Sequence, residues 1–193
     1  VQDNNTRNEY ALKYETNTNK GKGLIIEEEI LRKVQPSKNF PEIIDSGEHK
    51  GSKYVVIELL GPSLSNVRRQ LQGRKYSTYS ALFLSYYTLC CVEDLHSHGI
   101  INRDVKPGNF LIRADWEYPI CMIDFGLSAF YIDKQGSHIP FKNDAGFIGT
   151  CKYSSLNSHE LYSLSRRDDM ISWFYSCVEF FNGRFPWPAS RDR

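Results

Sequence analysis

The sequence lacks the marks of a zinc-binding, secreted or membrane-spanning protein. Its five cysteines form no C-x-x-C pair, so the pattern does not indicate a zinc site. No apolar run reaches the ~18 residues needed to cross a bilayer, and no charged-then-apolar signal peptide opens the chain. Because the odd number of cysteines lies in apolar segments, we expect reduced thiols in an intracellular protein of the cytoplasm or nucleus.

A strong excess of charge of one sign is also absent. The chain carries 24 Lys and Arg against 23 Asp and Glu, which gives a net charge of +1. This balance lacks the strong positive charge that is typical of proteins that bind nucleic acid or membranes, so we expect neither nucleic acid nor a membrane as a partner. The 193 residues, of which 40% are hydrophobic and 13% aromatic, are enough for one domain or two small lobes. The oligomeric state is not encoded in any pattern.

The first sixty residues are predicted to form a small sheet with one helix. The alternating stretch "YALKYE" predicts a strand, which the first two residues can join across the turn "DNNTRN". After the loop "NTNKGKG", the periodicity of Leu24–Val34 predicts a helix that stops before Pro36. "PEIIDSG" and "KYVVIELLG" predict two further strands.

After Gly61 the pattern becomes mainly helical. Ser63 is placed to cap a short helix, and a longer helix is predicted over Tyr79–His98, ended by Gly99. "FLIR" and "ICMID" predict a hairpin, and the apolar stretch 168–181 predicts another helix.

Together these patterns predict an α+β fold with two lobes. Residues 1–60 form a small, mainly antiparallel β lobe with one helix, and residues 61–193 form a larger, mainly α-helical lobe. The boundary is expected at a hinge near Leu60–Ser63.

The stretch "INRDVKPGNFL" (Ile101–Leu111) concentrates polar groups in a segment too irregular for a helix. Asp104 can accept a proton from an attacking hydroxyl, and Lys106, two residues on, points to the same side of an extended segment. Asn109 offers a neutral oxygen that suits Mg²⁺. The alternative is a surface turn, since Asp, Asn, Pro and Gly all favour turns.

Asp124 in "CMIDFGL" follows an apolar strand and precedes Phe-Gly. The predicted hairpin returns Asp124 to the neighbourhood of Asn109, and one carboxylate with one amide oxygen makes a magnesium site. Taken alone, Asp124 is also a common turn ending.

On the helix Leu24–Val34, Glu27 falls near the middle of the apolar face. A carboxylate there is costly unless it is paired. Lys13 is a candidate partner, because it is a charged residue within a largely apolar strand. We therefore predict an ion pair that prepares Lys13 to grip phosphate. The alternative is a surface lysine whose stem packs on the sheet.

For Asp169 in "SRRDDMISW", the residues alone favour a helix-capping role.

These motifs, in this order, resemble the eukaryotic protein kinase domain. "YALK", "NRDVKPGN" and "DFG" look like the ATP-lysine strand, the catalytic loop and the magnesium motif, and Glu27 matches the regulatory-helix glutamate. "ELLGPSL", "GTCKYSSLNSH" and "SRRDD" are more specifically similar to the casein kinase 1 group, including the tau-tubulin kinases. The resemblance covers almost the whole chain.

The resemblance implies an ATP-dependent serine/threonine protein kinase that uses Mg²⁺ and acts on protein substrates, with a bilobal protein-kinase-like fold. It implies a role for each matching residue: Lys13 and Glu27 for the ATP phosphates, Ile57, Glu58 and Leu60 for adenine, Asp104 and Lys106 for catalysis, Asn109 and Asp124 for magnesium, and Asp169 as a brace for the catalytic loop. Lys152, Arg166 and Arg167 would form a pocket for acidic or already phosphorylated substrates, although a solvated basic face is the alternative.

The sequence departs from the family pattern in three places. The usual histidine of the catalytic loop is Asn102, which can still donate a hydrogen bond, so we expect at most reduced activity. No glycine-rich loop is present and the last helices of the large lobe are missing, so we expect a domain truncated at both ends. A pseudokinase or kinase-like scaffold that binds partners without phosphoryl transfer is the alternative function. A small-molecule kinase is a weaker one, because it would not explain "GTCKYSSLN".

Overall fold

The computed structural model describes residues 1–15 and 23–187. Most of the predicted loop "NTNKGKG" lies outside the described residues. The β-strands are, in chain order, β1 (Tyr10–Tyr14), β2 (Ile43–His49), β3 (Ser52–Glu58), β4 (Ile100–Ile101), β5 (Phe110–Ile112), β6 (Ile120–Met122) and β7 (Ala129–Phe130). The α-helices are α1 (Gly23–Val34), α2 (Leu64–Gln70), α3 (Thr78–Ser97), α4 (Leu156–His159) and α5 (Arg166–Asn182).

The small part of the molecule is an antiparallel sheet covered by α1. The strand order is β1-β3-β2, and Lys13 of β1 lies opposite Val55 of β3. The backbone of Val1 exchanges hydrogen bonds of 2.9 Å with that of Tyr10, so the start of the chain pairs beside β1, as expected. The buried face of α1 lies in the same core as the inward side chains of β3: Leu24, Ile30, Leu31, Val34, Val55 and Ile57. Each such burial contributes about 1.5–3 kcal/mol, so this face fixes where α1 lies.

The larger part is built around two long helices, α3 and α5. The buried positions of α3, which recur every three or four residues, form a stripe toward the core: Ala81, Leu84, Thr88, Cys91, Val92 and Leu95. The Trp173 indole of α5 donates to the Thr88 hydroxyl at 3.1 Å, which ties the two helices together. None of the helices in the described ranges is both long and apolar enough to span a lipid bilayer.

The helix ends show why these segments start and stop where they do. Ser63 accepts from the Asn66 amide at 3.2 Å and caps α2, as predicted. At α5 the capping box is made by Ser165 and Asp168, so the helix begins two residues earlier than predicted. Gly183 ends α5 with φ of 72°, where a side chain would also meet the carbonyl oxygen of Gly73.

Strand β3 ends at Glu58, three residues before the predicted end. The chain then leaves the sheet because the Gly61 amide donates to the carbonyl of Ile112 at 2.8 Å and the Ile112 amide to the carbonyl of Pro62 at 3.1 Å. The connection between the sheet and the helical part is thereby joined to β5. A Cβ on Gly61 would lie 2.9 Å from the Ile112 oxygen, so this close approach requires glycine.

Candidate active site

The hairpin β5–β6 brings two segments of polar residues together, as predicted. The Ile123 amide donates to the Asn109 carbonyl at 2.9 Å, which places Asp124 beside Asn109. Residues Pro107–Asn109 form a single 3₁₀ turn that begins with proline, and this turn stops the loop from continuing as a helix. The Asn109 amide nitrogen donates to the backbone oxygen of Asp104 at 3.0 Å. Asp104, Asn109 and Asp124 therefore share one site.

The Asp104 carboxylate is held by two other side chains. The Lys106 ammonium lies 2.6 Å from one carboxylate oxygen, and the Thr150 hydroxyl donates to the other at 2.6 Å. Lys106 also donates to the Thr150 hydroxyl at 2.9 Å. Thr150 is a site residue that sequence reasoning missed, although it lies in the quoted segment "GTCKYSS". The three groups form a closed triangle that fixes the direction of the carboxylate.

The backbone of the loop 102–109, which carries Asp104 and Asn109, is held by the buried carboxylate of Asp169. This carboxylate accepts from the backbone amides of Asn102 at 2.7 Å and Arg103 at 2.8 Å, and His96 Nε2 lies 2.9 Å away. Arg103 has φ of 66°, in the left-handed region that costs about 1–2 kcal/mol for a residue other than glycine. Capping of α5 falls to Asp168 instead, so the geometry favours the bracing role for Asp169 over the capping one.

Asn102, for which the resemblance implies the place of a histidine, is almost completely buried. Its amide oxygen accepts from the backbone amide of Asp104 at 3.1 Å, and its amide nitrogen donates to the backbone oxygen of Asp124 at 3.3 Å. Asp124 has φ of 68°, a conformation that Asp tolerates better than most residues. One neutral side chain thus connects the loop that carries Asp104 to the segment that carries Asp124.

Lys13 and Glu27 form the ion pair that the helical periodicity predicts. Their Nζ and Oε1 atoms lie 2.5 Å apart, and the glutamate side chain is only 6% exposed whereas the lysine side chain is 34% exposed. Glu27 lies within the buried face of α1, where this ion pair offsets the cost of burying a carboxylate. Lys13 keeps enough exposure for its remaining N–H groups to meet a ligand.

The residues expected to contact adenine lie at the end of β3 and just after it. Ile57 is buried and Leu60 is half-buried. The Glu58 carboxylate binds the Arg113 guanidinium through two bonds of 2.6 and 2.8 Å. Burial raises the pKa of Glu58, but the hydrogen bonds from Arg113 and from the Glu42 amide, with the nearby positive charges of Arg113 and Lys38, together outweigh it and hold the pKa below its usual value. Arg113 lies 55 residues from Glu58, and no sequence pattern pointed to it.

The three basic residues expected to form an anion pocket lie in different surroundings. The Lys152 ammonium binds the buried Glu179 carboxylate and lies 4.9 Å from the centre of the Phe185 ring. Arg166 lies 4.6 Å above the Tyr131 ring, and Arg167 Nε lies 3.6 Å from an Asp168 oxygen. Lys152 and Arg167 line different cavities. The structure therefore does not bring the three together as one cluster.

The donor set fits a hard divalent cation held partly by phosphate oxygens. Because the Asn109 amide nitrogen already donates to Asp104, the amide oxygen is the atom left for a cation. Across the described stretches 1–15 and 23–187 there is no group of three or more His, Cys, Asp or Glu that could hold a metal unaided. Mg²⁺ is commonly bound by one or two carboxylates plus substrate phosphates, and Asp124 with Asn109 meets that pattern.

Comparison with known proteins shows the family of the chain. The family model described as "Protein kinase domain" matches residues 1–193. The chain belongs to the protein kinase domain family, and its α+β fold, with a small antiparallel-strand lobe and a helical part, is the fold expected from the sequence.

Curated relatives are serine/threonine kinases. The chain is 36% identical over 95% of its length to a "probable serine/threonine-protein kinase" of Dictyostelium discoideum, covering 37% of that protein. It is 33% identical over 97% of its length to the serine/threonine-protein kinase spe-6 of Caenorhabditis elegans, covering 50% of it. It is 35% identical over 92% of its length to a "probable casein kinase I homolog" of Encephalitozoon cuniculi, covering 56% of it. The chain thus spans between about a third and somewhat over half of these relatives.

Proposed function

We propose that this protein is an ATP-dependent serine/threonine protein kinase of casein kinase 1-like type, which transfers the γ-phosphate of ATP to hydroxyl groups of proteins. The observation that carries the proposal is the arrangement of Asp104, Lys106 and Thr150 beside Asn109 and Asp124. Its separate parts come from segments that lie up to 46 residues apart. Membership of the protein kinase family supports it.

Asp104 would accept or orient the proton of the attacking hydroxyl. Its two carboxylate oxygens are aimed by Lys106 and Thr150, so the group is positioned before substrate arrives. Lys106 would stabilise charge on the transferred phosphoryl group, because its ammonium lies 2.6 Å from the proposed base. The site therefore supplies position and charge, which is what phosphoryl transfer requires of a protein.

ATP with Mg²⁺ would bind between the Lys13–Glu27 pair and the catalytic loop. Lys13 would hold the α- and β-phosphates, oriented by Glu27. Asn109 and Asp124 would hold the cation, which neutralises charge on the phosphates when bound. Ile57, Glu58 and Leu60 would face adenine at the connection, where we place the boundary between residues 1–60 and 61–193. Asp169 would brace the loop, as its contacts with the loop amides support.

The casein kinase 1-like type is supported by "ELLGPSL" and "SRRDD" and by the Encephalitozoon relative. Substrates would be proteins, and a preference for acidic or phosphorylated ones would rest on Arg166 and Arg167. Both residues are exposed, and the Arg167 side chain is 60% exposed. Lys152 is less suited to this task, because its ammonium is already bound to Glu179. The odd number of cysteines, which lie in apolar segments, favours reduced thiols and therefore a cytoplasmic or nuclear location.

The second candidate is a kinase-like scaffold without transfer, which Asn102 at the histidine position favours. The hydrogen bonds of Asn102 to both Asp104 and Asp124 favour the active enzyme instead. Incubation of the full natural length of the protein with labelled ATP, Mg²⁺ and either casein or an acidic peptide separates the two. We expect label on serine or threonine, and none when Mg²⁺ is chelated. ATP binding without any transfer would establish the scaffold.

A further inference from the structure

Arg113, immediately after β5, binds the carboxylate of Glu58 at the end of β3 through two separate bonds. Nε lies 2.6 Å from Oε1, and Nη2 lies 2.8 Å from Oε2. The Arg113 side chain is 11% exposed and that of Glu58 is 26% exposed, so water screens this pair only partly. A bidentate pair of this kind fixes direction as well as distance, because both groups are planar.

The same guanidinium also binds the loop that follows α1. It donates to the backbone oxygens of Lys38 and of Phe40, the latter at 3.1 Å, and Nη2 lies 3.4 Å from Cys121 Sγ. One side chain therefore joins the end of β3, the loop after α1 and the hairpin β5–β6. Lysine cannot reproduce this set, since its ammonium lacks the rigid fork of N–H donors.

The connection 58–61 is thus held at both of its ends, at Glu58 and at Gly61. Glu58 is held by Arg113, and its backbone amide donates to the Glu42 carbonyl at 3.0 Å. Gly61 is held by the carbonyl of Ile112 at 2.8 Å. In the described part of the chain, no backbone hydrogen bond outside helices and strands uses Leu59 or Leu60. The main chain of these two residues is therefore held at both ends, and its hydrogen-bonding groups are still available to pair with a ligand.

We propose that Arg113 is a positioning residue of the nucleotide site, acting through Glu58 on the main chain of Leu59 and Leu60. This inference rests on the proposed function, in which Leu60 is one of the residues that contact the adenine base. Arg113 does not touch the reacting groups. Its side chain binds Glu58, Lys38, Phe40 and Cys121, whereas Asp104 and Lys106 lie in the loop before β5. Its loss therefore weakens nucleotide binding and leaves the transfer step nearly unchanged.

The test compares Arg113→Met, Arg113→Lys and Glu58→Gln in the full natural length of the protein. The measurements are the Kd of a non-hydrolysable ATP analogue, the KM for ATP, the KM for a peptide and kcat. We expect Arg113→Met to raise the analogue Kd and the KM for ATP about tenfold, as for loss of a partly buried charge pair. We expect kcat and the peptide KM to stay within about twofold.

The two gentler variants keep the inference testable if Arg113→Met does not fold. Arg113→Lys keeps the charge but loses the fork, so we expect a rise in Kd of about threefold to tenfold. Glu58→Gln keeps one hydrogen-bond acceptor and is expected to raise Kd by about threefold. Arg32→Met is the matched control, because Arg32 makes an exposed ion pair with Glu28 at 3.1 Å on α1, and it should leave all four constants unchanged.

The outcomes separate this inference from the proposed function. An analogue Kd that stays within about twofold in Arg113→Met, Arg113→Lys and Glu58→Gln overturns the role of Arg113 alone. A parallel fall in kcat with unchanged KM for ATP also overturns it, because that pattern is loss of active protein. A wild-type protein that binds no nucleotide overturns both.

Discussion

The amide nitrogen of Asn102 lies 3.3 Å from the backbone oxygen of Asp124 and joins the catalytic loop to the proposed magnesium segment. The amide oxygen of the same side chain accepts from the Asp104 amide at 3.1 Å. Asparagine thus uses both ends of its amide, a donor and an acceptor, to set the spacing between two carboxylates that would act on one phosphate.

Replacing Asn102 by leucine should remove both bonds while keeping a similar volume. We expect kcat to fall about 10–100-fold, because a displacement of about 1 Å in a positioned group has an effect of this size. The analogue Kd should change little, since Lys13 and the main chain after Glu58 are untouched. Steady-state kinetics with a peptide substrate measure the change.

Asn102→His is the matched variant for that experiment. Histidine can donate one hydrogen bond from its ring, so turnover should stay within about tenfold of wild type. Equal turnover in the leucine and wild-type proteins would show that Asn102 only fills space.

Loss of Lys13 should affect stability and activity for different reasons. Lys13→Met leaves the buried Glu27 carboxylate without its 2.5 Å partner, which costs up to about 3–5 kcal/mol. The double variant Lys13→Met with Glu27→Gln removes the buried charge and should recover much of the thermal stability. Both proteins should lose kcat/KM about 100-fold or more, since neither has a cation for the phosphates. Recovery of activity together with stability in the double variant would refute the phosphate-binding role of Lys13.

The buried carboxylate of Glu179 should be essential for folding rather than for chemistry. It lies 2.9 Å from Arg68 Nη2, accepts from the Tyr153 hydroxyl at 2.7 Å and also binds Lys152. Glu179→Ala leaves the buried Arg68 guanidinium without its carboxylate, and we expect the free energy of unfolding to fall by about 3–5 kcal/mol. Chemical denaturation measures this. Glu117→Ala, at an exposed loop position, should change it by less than about 0.5 kcal/mol, and an equally small effect at position 179 would contradict the buried network.

Two buried tyrosines should make the fold sensitive to alkaline pH. Burial raises the pKa of Tyr76 to about 12, and burial together with the hydrogen bond to Glu179 raises that of Tyr153. Above about pH 10 the unfolded phenol loses its proton while the folded one keeps it. Stability is therefore fully present below about pH 10, and it falls by about 1.4 kcal/mol per pH unit for each such tyrosine as pH rises toward the folded pKa.

The alkaline slope can be assigned with single substitutions. Tyr76→Phe also removes a 2.7 Å hydrogen bond to the Leu64 carbonyl, so the variant should be less stable at neutral pH but show a shallower loss between pH 10 and 12. Tyr79→Phe controls for removal of an exposed hydroxyl. Thermal unfolding at a series of pH values gives both slopes, and an unchanged slope in Tyr76→Phe would contradict the assignment.

Contacts set by local periodicity could be predicted from the sequence. The helical wheel of α1 placed Glu27 inside the apolar face and so led to its pairing with Lys13. The strand pattern around a short turn gave the hairpin that brings Asp124 to Asn109. Gly99 was predicted to end the long helix, and its backbone lies in the left-handed region that makes glycine common at helix ends.

Contacts between distant side chains could not be predicted. Arg113 reaches Glu58 across 55 residues, and Lys152 reaches Glu179 across 27. Arginine and lysine are mostly found on solvated surfaces, so a sequence does not show which of them binds a distant partner in the folded chain. The sequence therefore did not indicate that Lys152 binds Glu179 or that Thr150 binds Asp104.

Quantifying the phosphate transferred to casein by the wild-type protein and by Asp104→Asn, with Mg²⁺ and ATP, tests the central claim most directly. Asn keeps the size of the side chain and loses the base, so transfer should fall about 10²–10⁴-fold while the analogue Kd stays within about twofold. Asp45→Asn, an exposed carboxylate on β2, should transfer at the wild-type rate. Equal phosphate transfer by the wild-type and Asp104→Asn proteins would contradict the account. So would a wild-type protein that transfers no phosphate.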